Sequence, residues 1–96
     1  MSLREHYPAG FLDLPGGLSL RFSTRTDDEE YCGAIFEHPT STTESGRCSG
    51  AIWFEGQGHG HPEWRIESEN PLTLSPSLLC HCGYHGFIRE GKWVSA

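Results

Sequence analysis

Glycine and proline interrupt this chain at intervals too short for a long helix. Twelve Gly and six Pro are spread over 96 residues, and no segment holds a sustained 3.6-residue apolar period. The stretches between the breaks are short, and most alternate apolar with polar residues, the period of a half-buried strand. Leu18-Ser19-Leu20-Arg21-Phe22-Ser23 is the clearest case. Tyr31 to Glu37 is aromatic and apolar, and Ala51-Ile52-Trp53-Phe54 is a short apolar run. Trp64-Arg65-Ile66-Glu67 and Leu72-Thr73-Leu74 alternate again. Gly86 to Arg89 and Lys92 to Val94 flank Glu90-Gly91, an acidic-Gly pair suited to a two-residue hairpin turn. The capping-box pattern Thr26-Asp27-Asp28-Glu29 leads straight into the strand-like Tyr31 segment, so 26–30 reads as an acidic turn. The expectation is a mainly β fold: a small antiparallel sandwich or barrel-like domain with irregular loops.

The length fits a single domain, 1–96, with an irregular N-terminal segment over 1–17 and a β core over 18–96 that ends in a Cys/His-rich segment. A core this small is modest, and domains of this size often add a metal or disulfides. Two loops stand out: the Thr/Ser-rich stretch from Pro39 to Gly46, and Gly56-Gln57-Gly58-His59-Gly60-His61-Pro62. A faint echo links Cys32-Gly33-Ala34-Ile35-Phe36-Glu37 to Cys48-Ser49-Gly50-Ala51-Ile52-Trp53-Phe54-Glu55, each with a Cys at the start of a strand-like run.

Seven basic residues stand against thirteen acidic ones, a net charge of −6. That balance argues against nucleic-acid binding, which needs a cationic footprint, and against an electrostatic hold on anionic lipid. No apolar run approaches the length of a bilayer span, and the first residues lack the apolar region of a secretory signal. These features predict a reducing, cytoplasmic setting. There, four Cys beside several His read as metal ligands before they read as disulfides, although four Cys also pair evenly.

Cys80-His81-Cys82-Gly83-Tyr84-His85 is the strongest constellation. Zinc takes thiolate and imidazole ligands in a tetrahedral shell. Gly83 allows the tight turn that two thiols so close in sequence need, and His85 follows three residues after Cys82. The expected ligand set is Cys48, Cys80, Cys82 and His85 around a structural zinc, with His38 and Cys32 as alternatives to Cys48. The spacing Cys-x-Cys is one residue short of the usual knuckle, so shared ligation by Cys80 and Cys82 is the weakest part of this expectation.

Catalysis has thinner support in the sequence. His59, His61 and Glu63 could form a metal-dependent hydrolase or nuclease site, but no His-Glu-x-x-His spacing is present. Ser75 and Ser77 lie near Cys82 and His85, yet no Gly-x-Ser-x-Gly elbow frames them. Trp53, Trp64, Trp93 and Phe87 read as core and sheet residues. The sequence therefore favours a binding module over an enzyme, with the metal-dependent hydrolase as the alternative.

The run from Pro71 to Cys80, then Cys82-Gly83, His85-Gly86-Phe87-Ile88-Arg89 and Gly91-Lys92-Trp93, resembles a family of small bacteriophage proteins, especially those of actinobacterial phages. Phe36-Glu37-His38-Pro39 and Trp64 to Ser68 resemble it more loosely. The usual form in that family is Cys-x-x-Cys-Gly-x-His. The resemblance implies a phage-encoded accessory protein without catalytic activity. It would act through a protein partner, a host factor or a virion component, in the host cytoplasm or the virion.

Overall fold

The structure, a computed structural model, describes residues 3–24, 30–40 and 46–96. The acidic turn expected over 26–30 falls outside them except for Glu30, and most of the loop between Pro39 and Gly46 also lies outside. Among the described residues a short helix α1, Leu3–His6, precedes nine strands. They are β1 (Phe11–Leu14), β2 (Leu18–Thr24), β3 (Tyr31–Pro39), β4 (Arg47–Phe54), β5 (Glu63–Glu69), β6 (Leu72–Ser75), β7 (Leu78–Leu79), β8 (His85–Arg89) and β9 (Lys92–Ser95). Six form one sheet in the order β1-β2-β3-β4-β5-β6, and three form a second in the order β7-β8-β9. The fold is mainly β, as the short alternating segments imply.

Alternation decides which face is buried. Leu18, Leu20 and Phe22 of β2 point inward, as do Ala34 and Phe36 of β3 and Ile52 and Phe54 of β4. Leu72 and Leu74 of β6 join them, and the smaller sheet adds Leu78, Ile88 and Trp93 to the same core. Each buried Leu, Ile or Phe among them stabilises the fold by about 1.5–3 kcal/mol relative to exposure. Glu90 and Gly91 close the β8–β9 hairpin with φ of 51° and 74°, the two left-handed residues that the acidic-Gly pair implies.

Two features depart from the sequence expectation. The segment 1–17 is not irregular throughout: Phe11-Leu12-Asp13-Leu14 forms β1 and pairs with β2 across Pro15-Gly16-Gly17. The larger sheet is also mixed, because β4 and β5 run parallel, with Trp53 beside Glu63 and Phe54 beside Trp64. The Gly-rich loop between them must therefore carry the chain back along the sheet before β5 begins. Its left-handed residues Gly56, His59 and Gly60 accommodate that return within eight residues, 55–62.

Candidate functional site

The pairing of β3 with β4 sets His38 directly opposite Cys48. Both side chains lie on the inward face, since His38 continues the buried series Cys32, Ala34, Phe36 along β3. His38 is fully buried and Cys48 nearly so. The third and fourth donors come from the connection between β7 and β8. There the Cys80 N–H donates to the Tyr84 C=O and the Gly83 N–H donates to the Cys80 C=O, each at 2.8 Å. Gly83 takes φ of 95°, and this turn brings Cys82 back toward Cys80.

The donor atoms of His38, Cys48, Cys80 and Cys82 all lie within 4.8 Å of one another. Cys48 Sγ is 3.2 Å from Cys80 Sγ, and Cys82 Sγ is 3.5 Å from His38 Nε2. Donors about 2.0–2.3 Å from a shared tetrahedral ion would sit roughly 3.3–3.8 Å apart, so the Cys82–His38 separation suits a metal ion and the Cys48–Cys80 pair is slightly closer than that range. The imidazole is already oriented for ligation. Its Nδ1 lies 2.9 Å from the Pro39 C=O, which can only accept, so Nδ1 carries the proton and Nε2 offers its lone pair. The Tyr84 ring stacks on His38 at 3.8 Å between centroids, and Trp93 stacks on the far side of Tyr84 at 5.0 Å. Three rings thus fix the plane of the ligating histidine.

Electrostatics around the thiols are uneven. The hydrogen bond to Cys80 pushes the Cys48 thiol up to about 12, with burial acting in the same direction. The Tyr84 N–H donates to Cys82 Sγ and holds that thiol below its usual range, against the effect of burial. The exposed His81 also approaches, with Nε2 3.6 Å from Cys48 Sγ and Nδ1 3.8 Å from Cys80 Sγ.

The structure brings three of the expected ligands together, Cys48, Cys80 and Cys82, and adds His38, which the sequence offered as an alternative to Cys48. It does not bring His85 to them. β8 begins at His85, which pairs with Leu79 and stands on the outward face of the smaller sheet. Cys32 is also away from the cluster, and its thiol donates to the Ser23 C=O at 3.4 Å. Among the described residues the cluster is the one group of three or more His, Cys, Asp or Glu side chains close enough to share an ion, and it excludes His59, His61 and Glu63. The Glu63 carboxylate instead accepts from the Gly58 N–H at 2.6 Å and is held below the usual carboxylate range by the Gly58 and Gly56 N–H groups.

His85 has a different partner. Its Nε2 lies 2.9 Å from Ser77 Oγ. Ser77 directly precedes β7, and its C=O accepts from Trp64 Nε1 at 3.3 Å. The pair therefore flanks the turn that carries Cys80 and Cys82: Ser77 stands before it, His85 after it, and the Leu78–Gly86 and Leu79–His85 pairing holds the two sides in register. A hydroxyl hydrogen-bonded to an imidazole nitrogen is the core arrangement of an activated serine nucleophile. Its signal in the sequence was a Ser and a His at mirrored distances from the Cys-x-Cys-Gly turn, which no elbow motif marks.

Residues 32–96 match the family model BubE, described as bacterial ubiquitination-like system serine protease. The matched stretch contains all four cluster residues, Ser77 and His85. It also contains the whole C-terminal run that resembles phage proteins, and the family it matches is described as bacterial; nothing in the comparisons carries a phage source. No curated protein and no solved structure matches the chain.

Proposed function

The chain belongs to the BubE family, the serine proteases of bacterial ubiquitination-like systems, and from that premise we propose that it is a protease with Ser77 as nucleophile and His85 as its base. The observation that carries this reading is the 2.9 Å contact between Ser77 Oγ and His85 Nε2. As Oγ bonds the scissile carbonyl carbon, Nε2 takes its proton, then passes it to the leaving amine as the C–N bond breaks. A water, deprotonated by the same nitrogen, hydrolyses the acyl-serine ester and returns the free hydroxyl.

Zinc suits the neighbouring donor set, since three thiolates and one imidazole make a closed tetrahedral shell of the structural type. With all four positions taken by protein atoms, the ion would supply a cross-link. It would tie the end of the β3–β4 hairpin to the turn that holds Ser77 and His85 in register. The sequence-based reading as a phage accessory protein gives way here to an enzymatic one.

A serine-directed fluorophosphonate tests the assignment. It is expected to label Ser77 in the intact protein, as located by peptide mass, and to fail on Ser77→Ala. Cleavage of a protein substrate of that system should fall by about 10³-fold or more in Ser77→Ala and in His85→Asn, with the fold and metal content unchanged. Label on another serine, or undiminished cleavage by Ser77→Ala, would overturn the proposal.

A further inference from the structure

Beside the Ser77–His85 pair, two strand edges face each other without pairing. β4 bonds to β3 over residues 47–53 but meets β5 only at Trp53 and Phe54, so among the described residues no strand pairs with the other edge of Cys48 to Ile52. β7 is the outer strand of the smaller sheet and bonds only to β8. A cavity of about 200 Å³ separates them, lined by Gly50 to Ile52 of β4, Leu78 and Leu79 of β7, the Phe36 and Trp64 side chains and, where the turn begins, Cys80 and His81.

The phase of the β7–β8 ladder fixes what the open edge presents. The bond from Cys80 N–H to Tyr84 C=O places that pair in the bonded phase. Antiparallel pairs alternate, so the next pair, Leu79 with His85, is in the non-bonded phase. The N–H and C=O of Leu79 therefore point away from β8, toward the cavity. The C=O of Ser77, two residues back and on the same side, points to Trp64, which lines that cavity. An open edge of this kind is a template for an added strand, and natural proteins that leave one uncovered use it to bind extended peptide.

We infer that the slot between the open edges of β4 and β7 is the substrate groove, which takes an extended polypeptide with small side chains and pairs its main chain to Leu79. The inference rests on Ser77 and His85 being the catalytic pair. Pairing at Leu79 sets the bound strand two residues from Ser77, whose own C=O is taken by the Trp64 indole, and would bring a carbonyl of that strand toward Oγ. A volume of about 200 Å³ admits only a short stretch of chain, which favours Gly- or Ala-sized side chains. Specificity would then come from backbone pairing and smallness at the cut site, in a lining whose titratable side chains are Cys80 and His81.

The test uses full-length Ser77→Ala protein and a capped, extended peptide of Gly, Ala and Leu. Amide hydrogen exchange read by NMR should show the Leu79 N–H exchanging freely in the unbound protein and slowing at least tenfold with peptide, alongside shifts at Gly50 to Ile52. Leu79→Pro removes only an outward N–H, a change that edge strands tolerate, so it should weaken peptide binding about tenfold and clearly more than Leu79→Ala, which trims the lining but keeps that N–H. Absence of binding at millimolar peptide, or protection at other strands with Leu79 still exchanging freely, would overturn the groove. Fluorophosphonate labelling of Ser77 is read separately, so loss of the groove and loss of the catalytic assignment give different results.

Discussion

Two connections in this molecule, one Cys/His-rich and one His/Glu-rich, both offer metal-ligand chemistry in the sequence and have opposite uses. The β7–β8 turn carries Cys80, Cys82 and His85, and the β4–β5 loop carries His59, His61 and Glu63. The first is flanked by paired strands, and its thiols meet a buried imidazole and a buried thiol from β3 and β4. The second turns its acid on its own backbone: Glu63 caps the Gly58 N–H, while His59 and His61 stay exposed. A Cβ on Gly58 would fall 2.6 Å from Glu63 Cγ, so the loop depends on that close approach. The difference is strand register. Ligands converge where pairing from two hairpins points side chains at one spot, and a lone loop has no second element to aim at.

Breaking the first region should have the largest effect. Cys80→Ser, or removal of metal with a chelator, is expected to drop metal content from about one ion per chain and to lower Tm by about 10 °C or more, because a structural metal contributes directly to folding in so small a domain. Fluorophosphonate labelling of Ser77 should fall with it, since the turn that registers Ser77 against His85 loses its anchor. A protein that melts at the same temperature with and without chelator would show that the cluster holds no structural ion.

How much of this was legible can be argued residue by residue. β2, β6, β8 and β9 follow from period-two alternation and turn residues, because one face of each is buried. β7 was not legible, since two residues carry no period, and β1 was masked by the Gly and Pro around it. The parallel β4–β5 pair depends on how a Gly-rich loop folds back, which no local pattern encodes. At the site, Cys80 and Cys82 with Gly83 could be read from composition and turn chemistry. His85 was assigned to the metal because it is near in sequence, yet the turn returns it to a strand on the outward face. His38, 44 residues from Cys82, reaches the cluster through β3–β4 register. The Ser77–His85 pair shares that logic: its two members meet only because a hairpin brings them side by side.

The second region can be sharpened by a smaller change. Glu63→Gln keeps an oxygen that accepts from the loop but removes its charge. The folded protein holds this carboxyl below its ordinary value of 4.5, through the N–H groups of Gly58 and then Gly56. A depressed acid contributes stability that is full above the unfolded value and disappears as pH falls through the folded one. Glu63→Gln should therefore lower the denaturation midpoint slightly at neutral pH, and the gap from wild type should close below pH 4.5. A gap that stays constant into strong acid would mean that the ionised carboxylate does not hold the loop.

The smallest expected effect gives the cleanest contrast. His59 has φ of 47°, so His59→Asn keeps a residue that tolerates the left-handed region, and His61→Ala removes a ring 6.0 Å from that of Trp53. Both positions are exposed, and neither donates to the cluster. Together the two changes should alter stability by less than about 0.5 kcal/mol. Metal content and cleavage should be unchanged, because the donors placed to share an ion are His38, Cys48, Cys80 and Cys82 and the proposed catalytic pair is Ser77 and His85. Loss of cleavage at wild-type stability would instead return the activity to the loop histidines and to metal-dependent hydrolysis. The same double change thus separates a serine protease with a structural ion from a metallohydrolase, without disturbing the fold that either would need.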